Sequence, residues 1–169
     1  MKLFTVLTLF LASSAVSVAM ADEYPVLKAY EAQARELVTI TAAARTQADV
    51  PALLEKTRTL VTTGAELMVL YAEKNPRCAE QFEEMLSEVP QIEFMAIDEA
   101  NRRYHDGRGL PSAPRHCYFG RSQVIHAALN VIRLKAPWTD AVREATLKDL
   151  EEVIEHVAAV QRNLDNPPN

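Results

Sequence analysis

Glycine is scarce, at four in 169 residues, and no segment alternates β-branched with polar residues over the length of a strand. Without that period-two pattern a half-buried sheet has nothing to specify it. There is also no Gly-rich linker, low-complexity run or alignable internal repeat, so the chain reads as one domain. Past residue 21 no stretch is apolar for long enough to form a transmembrane helix. Basic charge is in deficit as well: 18 Lys and Arg stand against 23 Asp and Glu, a net of −5, which argues against nucleic-acid binding. Three chemical signatures are missing outright. The absence of C-x-x-C-H excludes covalent c-type haem, the absence of H-E-x-x-H removes a compact zinc helix, and no G-x-S-x-G marks an activated serine. Ser112 and Ser122 lie near histidines in sequence, but the carboxylates read as solvated helix faces rather than a hydrolytic pair.

The N-terminus carries its own signal. Lys2 precedes an apolar run over residues 3–12 (LFTVLTLFLA), and Ala19-Met20-Ala21 follows as a small-residue A-x-A site. This is the pattern of a secretory signal peptide over residues 1–21, which implies an exported protein, periplasmic in a Gram-negative bacterium. Removing Lys2 takes the net charge from −5 to −6. What remains is a single domain over 22–165 with a frayed tail at 166–169, large enough to bury a core unaided. In an oxidising compartment the only two cysteines, Cys78 and Cys117, are expected to form a disulfide. The rival reading is a pair of free thiols in a metal site.

Helical periodicity covers nearly everything else. Leu27, Tyr30, Ala34, Leu37, Thr41 and Ala44 share one face of a first helix over 24–48, and Leu53, Leu60, Gly64, Leu67 and Tyr71 share one face of a second that ends at Lys74. Gly64 inside that stripe marks a place for close helix contact. A third segment over 76–104 contains Pro90, which removes a backbone hydrogen bond and predicts a kink or break nearby, around Ser87. An ordered loop over about 105–119 precedes a fourth helix over 120–135, and Pro137 opens a fifth. The expected fold is all-α, an up-and-down helical bundle of four to five helices. The Cys pair tests this: a straight helix over 78–104 would be roughly 39 Å long, yet a disulfide needs Cα atoms about 4.4–6.8 Å apart. Either the loop runs back nearly stretched or the third helix folds at Pro90.

The chemistry concentrates in residues 104–126, which hold three of the four His and three of the four Gly. His105, His116 and His126 suit Zn or Cu, with Asp106 or a thiolate as a fourth ligand. A b-type haem held by His126 with Met68, Met85 or Met95 is a further alternative. The bundle is similar in architecture to small exported b-type and c-prime cytochromes, a likeness of fold that carries no function. On the fourth helix Gln123, His126, Asn130 and Arg133 form a single polar line on an otherwise apolar cylinder, and a solvent-facing line is the expectation. Residues 101–135 carry seven cations against Asp106 alone, a net of +6 in an acidic chain. Six of the seven are Arg, which favours specific bidentate pairing. Arg103, Arg108, Arg115 and Arg121, with His126, are therefore candidates for holding a small anionic ligand or an acidic protein surface through the loop over 102–121. The competing expectation is that the arginines pair with the chain's own acids, around Glu80, Glu83, Glu84 and Glu88 or Glu151, Glu152 and Glu155. The sequence thus predicts an exported, non-enzymatic binding protein not integral to the membrane, with a metal- or haem-binding protein as the alternative.

Overall fold

The computed structural model describes residues 24–168, so the expected signal peptide lies outside the described residues. Six α-helices account for most of that span: α1 (Pro25–Ala43), α2 (Val50–Lys74), α3 (Ala79–Ile92), α4 (Ile97–Ala100), α5 (Cys117–Leu134) and α6 (Asp140–Asp165). There is no strand among the described residues. None of the described helices is long and apolar enough to cross a membrane.

The boundaries follow local chemistry. Pro25 and Pro51 occupy first-turn positions, where the missing N–H costs nothing. The first helix ends at Ala43 rather than near 48 because Thr46 and Asp49 form a capping box that starts the next one. The Asp49 carboxylate accepts from the Arg45 and Thr46 backbone N–H groups, each at 2.9 Å. Asn75 closes α2, and Thr139 caps α6 by accepting from the Val142 N–H at 3.2 Å.

The four long helices pack in a ring, α1 on α2, α2 on α5, α5 on α6 and α6 back on α1. Two contacts at the ends of the helices fix their sense. At one end the Trp138 backbone N–H, before α6, donates to Gln47 Oε1 in the turn between α1 and α2 at 2.7 Å. At the other, the Asn75 side chain donates to the Asn163 carbonyl at 3.3 Å. The result is the expected up-and-down bundle. Its central member is α5, buried from Gly120 to Val131 without interruption. Gly64 makes the close approach that its place in the stripe implies: a Cβ there would lie 3.1 Å from the Gln123 carbonyl oxygen and from the Tyr30 ring. Gly120 is tighter still, with the Phe82 ring 2.7 Å from where a Cβ would stand.

The third segment breaks just beyond Pro90. Helix α3 runs through the proline and stops at Ile92; residues 93–96 turn the chain, and α4 continues into a wider π-type turn at Asn101–His105. From there the chain returns along α3. Arg103 reaches Glu88 and Glu84, the Gln81 side chain donates to the Pro111 carbonyl at 2.8 Å, and Cys117 joins Cys78 with Cα atoms 5.5 Å apart. Of the two geometries that allow the disulfide, the fold is the one that shortens the return.

Candidate functional site

Helices α5 and α6 meet along a polar seam. From α5 come Ser122, His126, Asn130 and Arg133, spaced so that they line one face, and from α6 come Asp149, Glu152 and His156, spaced likewise. The line on α5 is therefore not solvent-facing as expected: Gln123 and Asn130 are fully buried and His126 is 3% exposed, with Asp149, Glu152 and Thr146 of α6 against His126 and Asn130. Burial of polar groups is tolerable only where they are partnered, and most of these are. Arg133 donates to Asp149 Oδ2 and to Asn130 Oδ1, the Asn130 amide donates to the Thr146 carbonyl at 3.2 Å, and Ser122 Oγ lies 2.9 Å from His156 Nδ1. Burial works to raise the Asp149 carboxyl pKa, but His126 and Arg133 outweigh it and hold the group below its ordinary range. The His156 imidazole is pushed down, chiefly by burial.

The Gln123 side-chain oxygen is one exception to this satisfaction, and His126 is the other. Its Nδ1 lies 3.5 Å from Asp149 Oδ1 and its Nε2 lies 3.4 Å from Glu152 Oε1, ion-pair separations, and among the described residues neither nitrogen makes a hydrogen bond of good geometry. The π-type turn that ends at His105 brings a second imidazole onto it edge-on, with ring centroids 5.0 Å apart. His105 Nδ1 lies 3.2 Å from Asp106 Oδ1, and its Nε2 lies 3.1 Å from the Tyr118 hydroxyl, which donates to Glu152 Oε1 at 3.2 Å. Burial and the neighbouring Glu152 carboxylate push the Tyr118 phenol up to about 12. One donor atom from each of His105, His126 and Glu152 lies within 4.8 Å of the other two.

On the other side of His105 and Tyr118 opens a cleft of about 550 Å³, walled by the 105–115 loop, Gln81, Tyr118 and Arg121. Arg121 is 8% exposed. Its guanidinium donates to Gln81 Oε1 at 3.1 Å and to the His105 carbonyl at 2.9 Å and lies 5.6 Å from the Tyr118 ring centroid, while its Nε is buried without a partner. All these contacts are neutral. No carboxylate stands at ion-pair distance from it among the described residues, and burial lowers its pKa. The loop that covers it needs Gly107: φ there is +74°, and a Cβ would meet the Arg121 guanidinium at 2.8 Å.

The candidates named from sequence thus separate. Arg115 and Arg121 line the cleft. Arg103 does not; it pairs with Glu88 and Glu84, the self-pairing that competed with ligand binding. Arg108 is 74% exposed, 3.9 Å from Asp106. His105 and His126 come together, but His116 stands apart beside Cys78 and Cys117, whose sulfurs are joined to each other and are not free thiolates. Asp106 touches His105 from behind, at Nδ1. Asp149 and His156 were not singled out from the sequence, and Glu152 was named only as a pairing partner for the arginines; their spacing of three and four on α6, which places them on one face, is the signal that would have found them. No known family, curated protein or solved structure matches this chain.

Proposed function

We propose that this is an exported binding protein that holds a small anionic ligand in the cleft beside Arg121. The observation that carries the reading is a buried guanidinium with only neutral partners. Burial lowers the Arg121 pKa against the opposing charge of Asp106, which stands beyond ion-pair distance; burying a cation without a direct counter-charge is costly, and an anion in the cleft would supply one. Arg115 and the Gln81 and Ser112 side chains line the same space, and about 550 Å³ is the size of a small-molecule site rather than of a flat protein contact. Fixed bidentate geometry suits a carboxylate, phosphate or sulfate group. The disulfide accords with export.

The test is a thermal-shift series with phosphate, sulfate, di- and tricarboxylates and an acidic peptide. A ligand at about a hundred times its Kd adds about 2.7 kcal/mol, which for a chain of this size raises Tm by about 5–10 °C. The shift is expected to disappear in Arg121→Gln, to weaken in Arg115→Ala and to persist in Arg108→Ala. No shift with any anion, or a shift unchanged in Arg115→Ala and Arg121→Gln, would overturn the proposal.

A further inference from the structure

We infer that His105, His126 and Glu152 form a binding site for one divalent transition-metal ion of the Zn²⁺ class, a site that shares His105 with the wall of the cleft beside Arg121. The geometry points there in three steps. First, each imidazole has a carboxylate at its Nδ1: Asp106 Oδ1 at 3.2 Å from His105 and Asp149 Oδ1 at 3.5 Å from His126. With a metal bound, a carboxylate in that place would accept the Nδ1–H and leave the Nε2 lone pair for the ion, the outer-shell arrangement that orients ligating histidines. Arg133, which donates to Asp149 Oδ2, holds that carboxylate in place.

Second, both Nε2 atoms turn toward the same carboxylate. His126 Nε2 is 3.4 Å from Glu152 Oε1, and His105 Nε2 reaches it through the Tyr118 hydroxyl. Donor atoms at about 2.0–2.1 Å from a tetrahedral ion stand about 3.4 Å from one another. The His126–Glu152 edge already has that length. The other two edges, no longer than 4.8 Å, close when the ion replaces the Tyr118 hydroxyl as the bridge. Third, His126 is 3% exposed and lacks a good hydrogen bond at either nitrogen. A buried imidazole in that condition carries an unmet polar demand, which a metal at Nε2 and a tightened Asp149 contact at Nδ1 would meet together. Two imidazole nitrogens with one carboxylate oxygen suit Zn²⁺ rather than Ca²⁺ or Mg²⁺, and leave a fourth position for water.

The test is isothermal titration of the purified, chelator-stripped full chain with Zn²⁺, in buffer free of phosphate and sulfate, with the visible spectrum of a Co²⁺ titration as a second readout. One Zn²⁺ per chain is expected, with tetrahedral Co²⁺ bands. His105 and Glu152 are 29% and 31% exposed at their side chains and tolerate substitution better than the buried His126. His105→Ala and Glu152→Gln are expected to abolish stoichiometric binding while circular dichroism stays native, and Asp106→Asn to weaken it about 10–100-fold as an outer-shell change does. His116→Ala is expected to bind as the parent does. Absence of stoichiometric binding in the folded parent, retention of full affinity in Glu152→Gln, or loss of binding in His116→Ala would each overturn the assignment.

Discussion

Replacing both Cys78 and Cys117 by alanine opens a covalent loop closed across 39 positions of sequence. In the chain-entropy description a cross-link of that span removes about 13 cal/mol/K from the unfolded ensemble, or about 4 kcal/mol at 25 °C. Both cysteines are fully buried, so the alanines also leave two small gaps, worth one methyl-sized term each at about 1 kcal/mol. The combined loss is about 4–6 kcal/mol, a large share of the stability of an ordinary domain. It corresponds to a fall in Tm of about 8–24 °C. Urea melts of the oxidised parent, the reduced parent and the double alanine variant separate the contributions, since reduction breaks the loop without removing the sulfurs. The contacts that hold the returning chain to α3, Arg103 to Glu88 and Gln81 to the Pro111 carbonyl, do not depend on the bond. Fold and helicity should therefore survive under mild conditions. A loss below about 1 kcal/mol on reduction would refute the reasoning, because loop closure would then not be what the bond contributes.

Two further outcomes follow from buried polar groups. Asp149→Ala strands both Arg133 and His126 in the α5–α6 seam, with side-chain exposures of 20% and 3%, and should cost about 3–5 kcal/mol in a denaturant melt; a change under 1 kcal/mol would show that water reaches the seam. The His116 imidazole is held below its ordinary pKa by burial and by Arg77. The unfolded chain therefore takes up a proton more readily than the folded one. Stability should be flat above about pH 6.5 and fall as the pH drops below it, until the folded group also titrates. His116→Gln should flatten that fall, and an unaltered slope would assign it elsewhere.

The helices themselves were legible in the sequence. Leu27, Tyr30, Ala34 and Leu37 mark the buried face of α1 by spacing alone, and Pro51, Asn75 and Pro137 punctuate the chain through rules that act within a few residues. The break after Pro90 was readable to within a turn, although not its position, since the proline is accommodated inside α3 and the chain turns at residues 93–96. The pairing of Cys78 with Cys117 followed from there being no other cysteine, and the role of Gly64 from its place among large apolar neighbours.

The site was legible only in part. That Gln123, His126, Asn130 and Arg133 share a line is a property of one helix, and the sequence showed it. Which way the line faces is a property of two helices, and a wheel contains only one. Here α6 lays Asp149, Glu152 and His156 over it, so what reads as a wet stripe is a buried seam. The same holds for the arginines: residues 101–135 form a basic block in any conformation, but only the return of the chain along α3 gives Arg103 its glutamates and leaves Arg121 buried without one. Periodicity, capping and composition act through neighbours along the chain, and they determined the class of fold and the helix ends. The meeting of His105 with His126 and Glu152 joins residues 21 to 47 positions apart, and only the packing of α5 against α6 and the turn at Asn101–His105 decided it.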